Sequence, residues 1–124
     1  MLEDLPGSLR LTSPFPFVGR SPELNTLRQL MPWADDAGRR IVMLGGEAGA
    51  GKSRVVREFA SEAAAEGALV LYGGCDADVR TPYGPFVEAL EQLVRTLDPS
   101  ELRAAFGGTG GELTRLLPEL RTKL

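Results

Sequence analysis

The sequence predicts an α/β fold, a partial three-layer α/β/α arrangement whose parallel strands are covered by helices on both faces. Residues 41–44 form a short continuous apolar run, which is typical of a strand buried on both sides. A glycine-rich loop follows, and apolar residues then recur at helical spacing from Val55 until Gly67, a natural helix stop. A second apolar run at 68–72 completes one strand-helix-strand unit.

The loop between the first predicted strand and its helix matches the pattern GxxxxGK[ST] at every fixed position. Its residues are Gly46, Glu47, Ala48, Gly49, Ala50, Gly51, Lys52 and Ser53. Glycines let the backbone curl so that consecutive amide N–H groups point at one anion, and the start of the following helix adds partial positive charge. The motif therefore predicts a P-loop NTPase with ATP as its ligand.

The last two residues of the motif carry separate chemical roles. Lys52 is predicted as the catalytic residue, because its ammonium group would reach the β- and γ-phosphates. The Ser53 hydroxyl would ligate a Mg²⁺ ion that bridges them, so Ser53 is the predicted metal ligand.

Composition excludes several other classes of site. The net charge of −3 and the pI of about 5.0 do not predict a basic surface that would bind nucleic acid or an anionic membrane. Histidine is absent from the sequence, which removes His-based triads and His-ligated metals. The single Cys75 suits a reducing compartment, and the N-terminus lacks a signal-peptide pattern. We therefore expect a cytoplasmic protein.

The remaining elements are predicted from proline and capping residues and from the spacing of apolar residues. Residues 1–16 contain three prolines and no apolar period, so they are predicted to be a linker. Ser21 is expected to cap a helix with Pro22 at its first position. A further helix opens near Pro85 and carries an apolar face from Phe86 to Leu97. The spacings 98–101 and 109–112 each match a capping box, the second before a Leu-rich stretch.

No strand candidate follows residue 72, so the fold is expected to be truncated before the strand that bears the Walker B acid. Asp76 and Asp78 are the nearest acids, but Gly73, Gly74 and Cys75 separate them from the apolar run. They are either a magnesium carboxylate or solvated turn residues. Residues 17–124 are therefore predicted to be the N-terminal portion of a larger ATPase domain, and the segment alone is expected to bind nucleotide without turnover.

Several short segments together resemble a known family. They are residues 17–20 (Phe-Val-Gly-Arg), 23–24, 45–54, 72–75 and 82–86 (Pro-Tyr-Gly-Pro-Phe). The combination resembles the AAA-type ATPase domain of STAND regulators. More narrowly, it is similar to the Orc-like ATP-binding module of large LuxR-type transcriptional regulators and of multidomain proteins with an adenylate cyclase domain.

The resemblance, which runs from about 17 to 120, implies further contacts and partners. It implies an apolar contact from Val18 and a polar contact from Arg20 to the adenine, and it places Arg54 with the phosphate loop. Core packing at the helix start is an equal interpretation of Val18. The implied partners are ATP or ADP, other domains of the same polypeptide and a second copy in nucleotide-dependent self-association. DNA would be bound only through a domain outside this segment, and no membrane is implied.

The resulting hypothesis is an ATP-binding module of a multidomain regulatory ATPase, one that transduces a signal to transcription. Two alternatives use the same loop. A nucleotide or small-molecule kinase would need an acceptor pocket and lid arginines. A non-catalytic interaction domain would keep the loop only as structure.

Overall fold

The structure is a computed structural model, and it describes residues 5–10, 19–31, 39–75 and 82–118. Its α-helices are α1 (Ser21–Gln29), α2 (Lys52–Ala65), α3 (Gly84–Thr96), α4 (Pro99–Phe106) and α5 (Gly110–Leu113). Single 3-10 turns lie at Gly7–Leu9 and Gly107–Thr109. Contacts divide the chain into two compact units, Met1–Val70 and Leu71–Leu124.

The prediction of an α/β fold with parallel strands is wrong, because the described residues contain helices and no strand. The run at 41–44 was expected to be a buried strand. Ile41 and Met43 are instead each 92% exposed, and the run makes no backbone hydrogen bond within the described part of the chain. Only Leu44 packs against a core.

The second predicted strand, 68–72, is also absent, and both runs lack a neighbouring strand among the residues that the structure describes, for the same physical reason. An apolar run becomes a strand only when a neighbouring backbone accepts and donates its ladder hydrogen bonds. At Tyr72 a side chain supplies those bonds: the N–H donates to Gln92 Oε1 at 3.0 Å, and Gln92 Nε2 donates to the carbonyl at 2.7 Å. Apolar periodicity predicts burial, but it does not say which group satisfies the backbone.

The first unit is built on the contact between α1 and α2. Leu24, Leu27 and Val55 form its buried cluster, and Leu44 and Phe59 pack against them. An exposed bidentate ion pair adds to this contact, because Arg28 Nε donates to Glu62 Oε2 at 2.7 Å and Arg28 Nη2 donates to Glu62 Oε1 at 2.5 Å.

The predictions for the end of α2 and for the start of α1 differ in their outcome. The predicted stop at Gly67 is confirmed: Gly67 has φ +92°, and the N–H groups of Gly67 and Ala68 donate back to Ala64 and Ala63 in a Schellman motif. The predicted cap at Ser21 is wrong by one position. Ser21 is the first helical residue, and Arg20 precedes it without a side-chain capping bond.

Residues 5–10 fall within the predicted linker. Leu9, in the turn at Gly7–Leu9, is buried. Leu5, four residues earlier, is buried as well. The linker assignment for 1–16 stays a prediction.

The second unit has its own apolar cluster, formed by Val94, Leu102 and Leu117. The predicted capping box at the start of α4 is confirmed, with the Asp98 carboxylate accepting from Ser100 and Glu101 while Glu101 accepts from the Asp98 N–H. The second predicted box is wrong, since Thr109 makes no side-chain cap and its hydroxyl donates to Phe106 O.

Phe86, expected on the buried face of α3, is 69% exposed. The rest of the predicted face is confirmed, because Val94 is buried and Leu90, Leu93 and Leu97 pack against its cluster, as does Val87. Among the described helices, none is long and apolar enough to cross a membrane.

Candidate functional site

The glycine-rich loop begins with a tight turn at 47–50. The Ala50 N–H donates to the Glu47 carbonyl at 3.1 Å, which closes the turn. Gly49 lies at its third position with φ +81°, where a type II turn requires a left-handed residue. Gly51 has φ +87° and is the residue from which α2 starts. The motif glycines at 49 and 51 are thus required by the backbone itself.

The loop leads directly into the N-terminus of α2. The N–H groups of Arg54 and Val55 both donate to the Gly51 carbonyl at 3.1 Å, which closes the first helical turn. The N–H groups of Lys52 and Ser53 precede any intrahelical acceptor, so they are free to bind an anion. No acidic side chain lies in this first turn. The local field of the helix end is therefore positive.

Lys52 turns its side chain back over the loop. Its Nζ donates to the Gly46 carbonyl at 2.5 Å and to the Glu47 carbonyl at 2.7 Å. The side-chain methylenes also lie within 3.7 Å of the position that a Cβ on Gly46 would occupy. The ammonium group of Lys52 is thus held by two carbonyl groups at the start of the loop.

Arg20 also contacts the loop, through the Ala50 carbonyl. Its Nη2 donates to the Ala50 carbonyl, and its Nη1 donates to Glu23 Oε1 at 2.9 Å. The Arg20 hydrogen bond lowers the pKa of the Glu23 carboxyl below its ordinary value. An arginine at the start of α1 therefore links that helix to the phosphate loop.

A small cavity of about 60 Å³ lies between these groups. Arg20, Glu23, Ala50 and Lys52 supply its polar lining, and Leu44 and Val55 are among its other walls. Pockets that hold small-molecule ligands are typically ~300–1,000 Å³. The cavity between the described residues is smaller than such pockets.

The donor set for a metal is limited. Ser53 is exposed at the second residue of α2, where its hydroxyl is free to act as a ligand. The described ranges contain no group of three or more His, Cys, Asp or Glu side chains that could hold a metal by themselves. Within these ranges, Ser53 would need further oxygen ligands to hold a Mg²⁺ ion.

The structure brings together the predicted loop residues Gly46, Glu47, Ala48, Gly49, Ala50, Gly51, Lys52, Ser53 and Arg54. Arg20 joins them through Ala50. Val18, the predicted adenine contact, and the acids Asp76 and Asp78 lie outside the described residues. Glu23 was missed as a partner of Arg20, although an Arg and a Glu three residues apart at a helix start were a usable signal.

Comparison with known proteins agrees with the motif. The chain matches the family described as AAA ATPase domain over residues 16–123, which is most of its length. Neither the curated proteins nor the solved structures contain a match to this chain. The glycine loop, the helix that starts at Lys52 and the family match lead to one assignment: the chain belongs to the AAA ATPase domain family.

Proposed function

We propose that this chain binds ATP with Mg²⁺ on the loop at 46–53 and serves as the nucleotide switch of a multidomain regulatory protein. One observation carries the binding proposal. Gly49 and Gly51, both with left-handed φ, precede α2, whose first residue is Lys52. The first turn of α2 has no acidic side chain. This arrangement concentrates amide donors and positive charge where a phosphate chain would lie.

Phosphate binding would require Lys52 to change partners. Its ammonium group is now bonded to the carbonyls of Gly46 and Glu47, which are neutral acceptors. Phosphate oxygens are charged acceptors and form stronger bonds to an ammonium group. The loop carbonyls therefore hold Lys52 in place until the β- and γ-phosphates replace them.

The metal would be held jointly by protein and ligand. Ser53 supplies one neutral oxygen, and the remaining ligands would be phosphate oxygens and water, as Mg²⁺ commonly takes. We expect binding of ATP to be stronger with Mg²⁺ than without it, and the difference to shrink in Ser53→Ala.

The regulatory part of the proposal rests on the family and on the resemblance to Orc-like modules of LuxR-type and other STAND regulators. Gain or loss of the γ-phosphate would alter contacts with other domains of the polypeptide or with a second copy. DNA would be contacted by a domain outside these residues, in the cytoplasm.

Calorimetric titration of the chain with Mg-ATP tests the proposal. We expect saturable binding at one site and a loss of affinity of about tenfold or more in Lys52→Ala, since a charged phosphate contact is removed. Arg57→Ala is the matched control, because it removes a positive charge further along the same helix. Equal affinities for wild type and Lys52→Ala would refute the proposal.

The same preparation separates the two alternatives. Loss of the γ-phosphate that depends on an added nucleotide or small-molecule acceptor would identify a kinase. A melting temperature that ATP does not raise would identify a domain that keeps the loop only as structure.

A further inference from the structure

We propose that Arg20 is a positioning residue that sets the shape of the phosphate loop, and that it acts through the Ala50 carbonyl and not through the nucleotide base. This inference rests on the proposed function, and it replaces the adenine contact expected for Arg20. It predicts that Arg20 affects every triphosphate ligand equally, whatever base the ligand carries.

The hydrogen bond from Arg20 fixes one peptide unit of the loop. In a trans peptide the C=O and N–H point in opposite directions, and the described residues contain no cis peptide bond. Because Nη2 of Arg20 holds the Ala50 carbonyl, the N–H of Gly51 must point away from Arg20. That N–H belongs to the residue from which α2 starts.

A second observation places the guanidinium group along the same peptide. A Cβ added to Gly51 would lie 3.9 Å from Arg20 Nε, so the side chain runs beside the Gly51 backbone. Gly51 has φ +87°, a conformation that glycine adopts readily but that is only one of several open to it. The arginine therefore supports the peptide at which the loop turns into the helix.

Glu23 holds the arginine in this pose. Its Oε1 accepts from Nη1 at 2.9 Å, and the two side chains are only 40% and 39% exposed. The guanidinium is planar, so fixing Nη1 on Glu23 also directs Nη2 at Ala50. Nη1 and Nη2 of Arg20 are thus already engaged, by Glu23 and by the Ala50 carbonyl.

Titration with three ligands tests the inference: Mg-ATP, Mg-GTP and inorganic tripolyphosphate with Mg²⁺. In Arg20→Ala we expect affinity for all three to fall by a common factor of about three- to tenfold, the size of one lost hydrogen bond. The ratio of ATP to GTP affinity should stay at the wild-type value. Glu23→Gln should cause a smaller loss of the same kind, and Arg57→Ala should cause none.

A changed ATP to GTP ratio in Arg20→Ala, or a loss confined to ATP, would overturn the inference and restore a base contact. Arg20→Lys serves if Arg20→Ala does not fold, because lysine keeps the positive charge but lacks the planar fork that directs separate nitrogens at Glu23 and Ala50. It should retain the same ratio with intermediate affinities.

An amide NMR spectrum without ligand separates this inference from the proposed function. We expect the Gly51 amide resonance to move in Arg20→Ala and in Glu23→Gln, and to stay in place in Arg57→Ala. A stationary Gly51 resonance would refute the positioning role. If the resonance moves but wild type binds none of the three ligands, the proposed function fails while the coupling of Arg20 to the loop stands.

Discussion

The side-chain amide of Gln92 pairs with both backbone groups of Tyr72, accepting from its N–H at 3.0 Å and donating to its carbonyl at 2.7 Å. A single α3 side chain thus does for Tyr72 what a neighbouring strand would do in a sheet. Both residues belong to the second unit, so this pair is part of how that unit holds the segment that leads to Gly73 and Gly74.

Replacing Gln92 with Leu should destabilise the protein by about 1–3 kcal/mol, because the partly buried N–H and C=O of Tyr72 lose their partners. Urea unfolding followed by circular dichroism measures this change. The same substitution at Gln29, which is exposed, is the control and should change stability by less than about 0.5 kcal/mol. Equal effects at the two positions would show that the Tyr72 pairing contributes nothing.

Gly51 of the loop and Gly111 of the second unit should respond oppositely to alanine. Gly51→Ala places a Cβ at φ +87° and should cost about 1–2 kcal/mol. Gly111 lies in α5 with open space around it, so Gly111→Ala should stabilise by about 0.5–1 kcal/mol. Thermal unfolding of both variants measures the difference. A stabilising Gly51→Ala would mean that the loop does not need its left-handed residue.

The ion pair between α1 and α2 predicts a specific response to acid. The hydrogen bonds from Arg28 lower the pKa of the Glu62 carboxyl from its ordinary 4.5. A carboxyl with a lowered pKa stabilises the fold above its unfolded pKa, and this contribution is lost as pH falls through the lower folded value. The stability difference between wild type and Glu62→Gln should therefore be constant above about pH 4.5 and shrink below it.

Denaturant unfolding at pH 3, 4, 5 and 7 measures that difference, with pH values chosen about the ordinary carboxyl pKa. Glu66→Gln, an exposed change just beyond the same helix, is the control. A difference that persists unchanged at the lowest pH would show that the ion pair is not the source.

The capping box at the start of α4 predicts a contrast between two substitutions. The Asp98 carboxylate accepts from the Ser100 hydroxyl at 2.6 Å and from the Glu101 N–H at 3.0 Å, and these bonds lower the pKa of Asp98. Asp98→Ala should lower the melting temperature, whereas Asp98→Asn keeps an acceptor and should lower it less. Thermal unfolding at neutral pH compares them.

Acid should remove the advantage of wild type over Asp98→Asn, since the contribution of the Asp98 carboxylate is present above about pH 3.8 and is lost as pH falls through the lower folded pKa. Equal melting temperatures for Asp98→Ala and wild type at neutral pH would contradict a stabilising cap.

The predictions from sequence that succeeded rest on local signals. The loop at 46–53, the stop at Gly67 and the capping box at Asp98 depend on residue types at fixed short spacings, and the structure has all three. Two other local predictions, the cap at Ser21 and the capping box at 109–112, were wrong. The prediction of strands failed because its outcome depended on distant groups. Ile41 and Met43 form an apolar run, but no backbone pairs with that run in the described residues, and the prediction of strands was wrong. The link from Arg20 to Ala50 spans 30 positions, and no short pattern encodes it.

The most direct test of the central claim is a titration of the isotope-labelled chain with Mg-ATP, followed through the amide resonances. Nucleotide bound on the loop should shift the resonances of Gly49, Gly51, Lys52 and Ser53 most strongly. Lys52→Ala should need about tenfold more nucleotide, or more, to reach the same shifts, while Arg57→Ala should follow the wild-type curve. Shifts that centre on another part of the chain, or a Lys52→Ala curve equal to that of wild type, would contradict nucleotide binding at this loop.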